Sequence, residues 1–302
     1  MRAAPVTLAI ALALAPAPAR AAACCGTGYG VGQRLAVAED AAVTLTTRLQ
    51  STLGSFDDAG RWVRDPATDA DRELRADLSV IVKPMPSLQL GASAPFLSTW
   101  RKTADLDGRG AGVGDVNVFG RWDFVPVGGR GAWPGIAATL SVGLPTGRSA
   151  DHAADALGAD ATGLGVFEVR PGIAIEKAWW RGWFVVFATS VALRTPHDSR
   201  GGTVQLGPRW STVLAGGPSF RSGLGVALGV QHDREAAPTT AGVRGAGRSR
   251  TSLVLVSSYE IDLHWSIVLA AQADPPIAGL GRNEPGVVSG TLGLRFAHSI
   301  YD

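Results

Sequence analysis

Hydrophobic and polar residues alternate along most of this chain with a period of two. Between 71 and 83, Leu74, Ala76, Leu78, Val80 and Val82 alternate with Glu73, Arg75, Asp77 and Ser79. Between 115 and 124, Val116, Val118, Gly120, Trp122 and Phe124 alternate with Asp115, Asn117, Phe119, Arg121 and Asp123. Between 134 and 144, Ile136, Ala138, Leu140, Val142 and Leu144 alternate with Ala137, Thr139, Ser141 and Gly143. Successive side chains of a strand point to opposite faces, so each stretch predicts a strand with one apolar and one polar face. About twelve such segments recur, near 41–53, 71–83, 87–100, 113–125, 135–145, 164–177, 182–194, 203–214, 220–232, 249–259, 263–273 and 287–300. Most exceed the roughly 5–6 residues of an ordinary globular strand. They match the roughly 9–11 residues that a tilted strand needs to cross a bilayer.

The connections point the same way. Those near 54–70, 101–112, 146–163, 195–202, 233–248 and 274–286 are long or polar. Those at 84–86, 126–134, 179–181, 215–219 and 261–262 are tighter. Bacterial outer-membrane barrels have an even strand number, short periplasmic turns and longer outer loops. A sandwich has no reason to alternate in this way. The expected fold is therefore an all-β, transmembrane, antiparallel up-and-down barrel of about twelve strands, with ten or fourteen also compatible. Both termini fall on the periplasmic side.

The N-terminus adds an export signal. Arg2 precedes an apolar stretch from about Val6 to Ala15, followed by Pro16, Pro18 and a run of small residues to Ala23. That order describes a secretory signal peptide, and the apolar core is too short for the roughly 20 residues of a spanning helix. We divide the chain into a signal peptide (1–23), an N-terminal periplasmic segment (24–40) and the barrel (41–302). Cleavage after Ala23 would expose Cys24 and make it a candidate for lipidation, although Ala-Ala-Ala lacks the larger aliphatic residue usual ahead of that site. Cys24 and Cys25 are the only cysteines. Neighbours in sequence make a strained disulfide, and two thiols without a nearby histidine make no zinc site. No metal or cofactor is implied.

Charged residues make up 18% of the chain and net charge is +2. No basic block suggests nucleic acid. The expected partners are outer-membrane lipids, the barrel-assembly machinery and small hydrophobic solutes; the oligomeric state is left open. Trp122, Phe124, Trp133, Trp179, Trp180, Trp183 and Trp265 fall near the proposed short turns, as an interfacial aromatic girdle would. Trp100 lies at the opposite end of its strand, and Trp62 and Trp210 fit the girdle poorly. With the apolar faces toward lipid, the lumen receives Glu73, Arg75, Asp77, Asp115, Asn117, Arg121, Asp123, Glu168, Arg170, Glu176, Gln205, Arg209 and Arg295. Such a mixed set either pairs across strands and holds the barrel in register or forms a selectivity constriction. The first role is favoured. Both signs together predict weak ion selectivity, and twelve strands predict a narrower bore than a 16-strand porin.

One stretch carries a family resemblance. Gly112-Val113-Gly114-Asp115 opens a strand, and Leu144-Pro145-Thr146-Gly147 closes the next hairpin. Over about 110–147 the chain resembles the outer-membrane barrels named for the MetA pathway of phenol degradation. The resemblance implies a transporter-like barrel for small, often aromatic or hydrophobic, compounds. Physically, the glycines let the chain enter a strand without crowding. Asp115 is placed to accept hydrogen bonds from loop N–H groups or an arginine, and Pro145 to Gly147 end a strand.

Two other functions fit parts of the sequence. A structural surface barrel without transport is hard to separate from a channel by sequence. An outer-membrane hydrolase would draw on His152, His197 or His232. Yet His197-Asp198 and His232-Asp233 are adjacent, so on a strand they face opposite sides, and no G-x-S-x-G elbow is present. No catalytic residue is assigned.

Overall fold

The alternation resolves into twelve long strands in a computed structural model that describes residues 34–127, 133–179, 182–199 and 202–299. In chain order they are β1 (Ala41–Phe56), β2 (Ala70–Met85), β3 (Leu88–Lys102), β4 (Val116–Val125), β5 (Gly135–Leu144), β6 (Glu168–Ala178), β7 (Trp183–Arg194), β8 (Arg209–Pro218), β9 (Leu224–Glu235), β10 (Arg248–Glu260), β11 (Trp265–Ala273) and β12 (Glu284–His298). Each pairs antiparallel with its sequence neighbours, and β1 pairs with β12 to close the ring. The expected twelve-strand barrel is what forms. Closure leaves no edge strand among these twelve, as a lipid environment demands.

The period-two pattern decides which face goes where. On β1, Val43, Leu45 and Leu49 are exposed, while Ala42 and Thr44, at the alternate positions, are buried. Cross-strand partners share a face, so Leu45 stands beside Leu78 of β2 and Leu294 of β12 in one outward row. Leu140, Leu214, Leu228, Leu255, Leu269 and Leu292 continue the apolar exterior around the ring. Inside stand Thr44, Ser79, Gln89, Arg121, Glu176, Ser211, Gln231, Asp233, Gln272, Ser289 and Arg295, all buried. An apolar outside around a polar inside reverses a soluble protein and suits the outer membrane.

Between Met85 and Leu88 only two residues turn the chain, and the β6–β7, β8–β9 and β10–β11 turns are also short. At the other end, β1–β2, β5–β6, β7–β8, β9–β10 and β11–β12 are joined by longer segments. Trp122, Phe124, Trp133, Trp179, Trp183 and Trp265 are exposed at the short-turn end. Trp180, the expected signal peptide, Cys24 and Cys25 lie outside the described residues.

Three local readings change. The expected loop at 101–112 is mostly strand: β3 runs to Lys102, and residues 107–113 pair back along it before β4 begins. Glycines at 108, 110, 112 and 114 masked that strand, because they offer no hydrophobic alternation. The expected strand at 203–214 splits: residues 202–205 belong to a small four-stranded sheet in the outer loops, and β8 begins at Arg209. Gln205 is therefore exposed outside the lumen. Trp62 serves no girdle; it meets Phe56 edge-on, with ring centroids 5.0 Å apart.

Candidate functional site

Opposite charges two residues apart on a strand share a face, and three such pairs form inside the barrel. Arg75 meets Asp77 at 2.9 Å, Arg121 meets Asp123 at 2.8 Å, and Arg170 meets Glu168 at 2.6 Å. Cross-strand pairs add to them. Arg48 binds Glu73 at 2.9 Å, and Arg194 bridges Glu168 and Glu235 at 2.8 and 3.1 Å. Near the outer end of β8–β12, Asp233 accepts from Arg209, Ser211 and Gln231 at 3.0, 2.6 and 2.9 Å. Next to it, Asp274 accepts from Ser252 at 2.5 Å and from the backbone of Val287 at 2.9 Å. Every acid among the lumen candidates meets a cation or backbone N–H groups, as a low-dielectric wall requires.

The short-turn mouth is narrowed by the segment just before β1. Leu35 is 2% exposed and packs with Ala42, Ile81 and Ala297, against Phe119. Its N–H donates to Gln89 Oε1 at 2.8 Å. Arg34 pairs with Glu176, which also receives Arg121 at 2.7 Å. Gln89 in turn donates to Asp123 at 3.1 Å. On the other side, Arg295 makes two bonds to Glu39, at 2.7 and 2.6 Å. Lys83 Nζ donates to the carbonyls of Ala36 and Val37, both at 2.9 Å. The described part of the expected periplasmic segment thus lies inside the barrel mouth. Arg121, Asp123, Glu176 and Arg295 form its socket. Sequence spacing gave no sign of this, because the partners are up to 256 positions apart.

A loop narrows the other half of the lumen. Residues 145–167 fold onto residues 107–114, whose even positions are all glycine. A Cβ at Gly110 would come within 2.3 Å of Asp160 Cα, and one at Gly108 within 2.5 Å of the Asp155 carboxylate. The bare stripe is the seat of the loop. Asp115 fastens it, accepting the N–H of Gly147 at 2.9 Å and of Leu164 at 2.7 Å. Thr146 Oγ1 accepts the N–H of Val116 at 2.9 Å and donates to the Gly114 carbonyl at 2.8 Å. The two motifs of the resemblance, around Asp115 and Thr146, therefore bind one another. Within the loop, Asp160 accepts the N–H groups of Ala154 and Asp155, and Arg148 reaches it at 2.5 Å. Those bonds hold the Asp160 carboxyl at about 2.

Between mouth and loop lies a cavity of about 720 Å³. Of the sequence-predicted residues, Glu73, Arg75, Asp77, Asp115, Asn117, Arg121, Glu168 and Arg170 line it. Asp123, Glu176, Arg209 and Arg295 do not. Sequence reasoning missed Arg48 and Arg101, and the apolar part of the wall, Pro95, Leu97, Phe119 and Val166. Inward-facing residues of β1 and β3 at the right register would have found Arg48 and Arg101. Arg48 Nε, Arg170 Nε and Ser190 Oγ, all on lining residues, have no hydrogen-bond partner within the protein.

The histidines form no joint site. His152 Nδ1 meets Ser149 Oγ at 2.8 Å, while His197 Nε2 meets Asp151 at 3.2 Å. His232 is exposed on the outer wall beside Thr251, and Asp233 points inward. Among the described residues no group of three or more metal-ligating side chains converges.

Among solved structures, the chain is similar in fold to an outer membrane channel from Pseudomonas putida F1, at 16% identity and a TM-score of 0.72. The match covers 86% of this chain and 96% of that one. It is also similar to the β domain of the Bordetella autotransporter Brka, at 12% identity and a TM-score of 0.51, over 86% of this chain and 100% of that one. No protein-family model and no curated protein matches it. At these identities the likeness speaks for the fold: a twelve-strand barrel of the bacterial outer membrane.

Proposed function

We propose that this chain is a narrow outer-membrane channel for small molecules. The observation that carries this reading is the cavity of about 720 Å³, lined by both polar and apolar side chains, between an inward-folded loop and an N-terminal segment. A barrel serving only as surface structure gains nothing from a loop seated on glycines beside such a space. Glu73, Arg75, Asn117 and Ser141 on the cavity lining offer a passing solute hydrogen bonds, and Pro95, Leu97 and Phe119 offer it an apolar wall. That combination supports small aromatic or hydrophobic compounds that carry a polar group. It also accords with the resemblance, over about 110–147, to barrels named for the MetA pathway of phenol degradation. We infer no enzymatic role: Ser149 with His152 and Asp151 with His197 remain two separate pairs.

Planar-bilayer recording of the purified, full mature chain tests the reading. Small discrete conductance steps with weak ion preference are expected. A protein whose gel mobility shifts on heating, and which therefore folds, but which never conducts would sink the channel and favour the surface barrel.

A further inference from the structure

The outer wall carries a basic patch that the channel reading does not use. On the lipid side of β2, Leu74, Leu78, Val80 and Val82 are exposed. Eight residues separate Leu74 from Val82, a rise close to the roughly 25 Å of a barrel's apolar band once tilt is counted. The next outward side chain toward the long-loop end is Arg72. In register, Arg72 lies opposite Trp100 of β3, and Trp100 lies opposite Arg109. One row further out, Lys102 stands opposite Asp107. Arg72, Lys102 and Arg109 are exposed and Trp100 is half-buried. Three cations thus face a single acid, Asp107, 3.8 Å from Arg109. Arg72 and Lys102 have no ion-pair partner within 4.0 Å among the described residues. The pattern recurs across the barrel, where outward Trp210 stands opposite Arg234.

We propose that Arg72, Trp100, Lys102 and Arg109 bind the phosphate groups of a phosphorylated glycolipid in the outer leaflet. Tryptophan settles where a bilayer's apolar and wet zones meet. Guanidinium groups pair with phosphate oxygens through parallel hydrogen bonds. Adjacent strands lie about 4.8 Å apart, so Arg72 and Arg109 flank Trp100 at a backbone separation of roughly 10 Å. A headgroup held there lays its acyl chains down the apolar wall of Leu74, Leu78 and Phe96. A free phosphate would leave that wall and the indole unused, so the lipid is the occupant.

Native mass spectrometry of the full chain in phosphatidylcholine nanodiscs doped with a bis-phosphorylated glycolipid reads the bound lipid directly. The wild-type protein retains it, and the dephosphorylated glycolipid is retained far less. R72Q/R109Q lowers retention on the order of thirtyfold, from about 1 kcal/mol per basic residue near a membrane surface. R72K/R109K, which keeps the charge but loses the paired hydrogen bonds, falls between the wild type and R72Q/R109Q, and R221Q, in the turn at the opposite end, leaves retention unchanged. A heat-dependent gel shift shows that each variant folds. Equal retention by R72Q/R109Q, or of the dephosphorylated lipid, overturns the proposal. Full displacement by millimolar inorganic phosphate would make the site a free-anion site and overturn the lipid as its occupant.

Discussion

Asp115 shows how much one residue decides. Its carboxylate accepts the N–H groups of Gly147 and Leu164, which lie at the two ends of the inward loop. Asp115→Ala leaves both donors without their partner, a cost of about 1–3 kcal/mol in the stability of the seated loop. The amides of Gly147 and Leu164 should exchange hydrogen faster, and channel conductance should rise, while the barrel still runs folded on a gel. Unchanged exchange at both amides would remove Asp115 as the fastener. Asp160 supplies a pH signature. Its carboxyl is held at about 2, below its ordinary value of 3.8. The contribution of such a group is complete above the unfolded value and is lost as pH falls through the folded one. Protection of the Ala154 and Asp155 amides should therefore be flat from neutral pH to about 4 and decline toward 2. In Asp160→Asn it should be weaker and free of that decline. That Arg75 and Asp77 share a face was legible because residues i and i+2 of a strand point the same way, but the expected pairing was across strands, not along one. The acceptor role of Asp115 was legible too, but which amides it accepts was not. Nothing local marks Gly147 and Leu164 as its partners.

Among elements, the glycine stripe is the least conventional. A strand with glycine at 108, 110, 112 and 114 packs poorly on its own, and this one is compensated by a loop laid on its bare face. Sequence reading took two of these glycines as easing entry to β4 and the rest as loop, since a stripe without side chains has no hydrophobic period to detect. Gly110→Val tests the seat. Its Cβ would meet backbone atoms of Asp160 and Ala159 at 2.3–2.5 Å, and backbone cannot swing aside as a side chain can. The loop should lift as a unit, giving larger conductance and quicker proteolysis between 145 and 167. The outward Gly290, with nothing within 4 Å of its Cβ position, should accept alanine with no change in either measurement. If Gly110→Val conducts and resists proteolysis like the wild type, the stripe is not what seats the loop. The twelve strands themselves were legible because their outward rows are largely apolar, the condition for a wall between lipid and water, even where Ile81, Leu97 or Phe119 also stands inside.

At the scale of the whole molecule, the barrel is a wall with two internal fittings, and the fitting at the short-turn end sets what the mouth admits. That segment escaped sequence reading because residues 34–40 have no periodicity, and their partners come from β2, β3, β6 and β12. It carries Arg34 against Glu39 and Asp40, so its removal takes one net negative charge out of the mouth. Arg295 would lose its carboxylate partner and Lys83 its carbonyls. Glu176 and Asp123 would keep Arg121. A chain lacking the segment that ends at Asp40 should therefore conduct several-fold more than the chain that keeps it. Its weak ion preference should move toward anions, because uncompensated charge at a constriction selects its counter-ion. Reversal potentials across a salt gradient measure the shift. The double variant Glu39→Gln/Arg295→Gln, which removes the pair and leaves the segment in place, separates the two effects: preference should move little, while any rise in conductance reports loosening of the segment. An anion shift of equal size in that variant would mean that the segment does not narrow the mouth and that the ion preference is set elsewhere in the lumen.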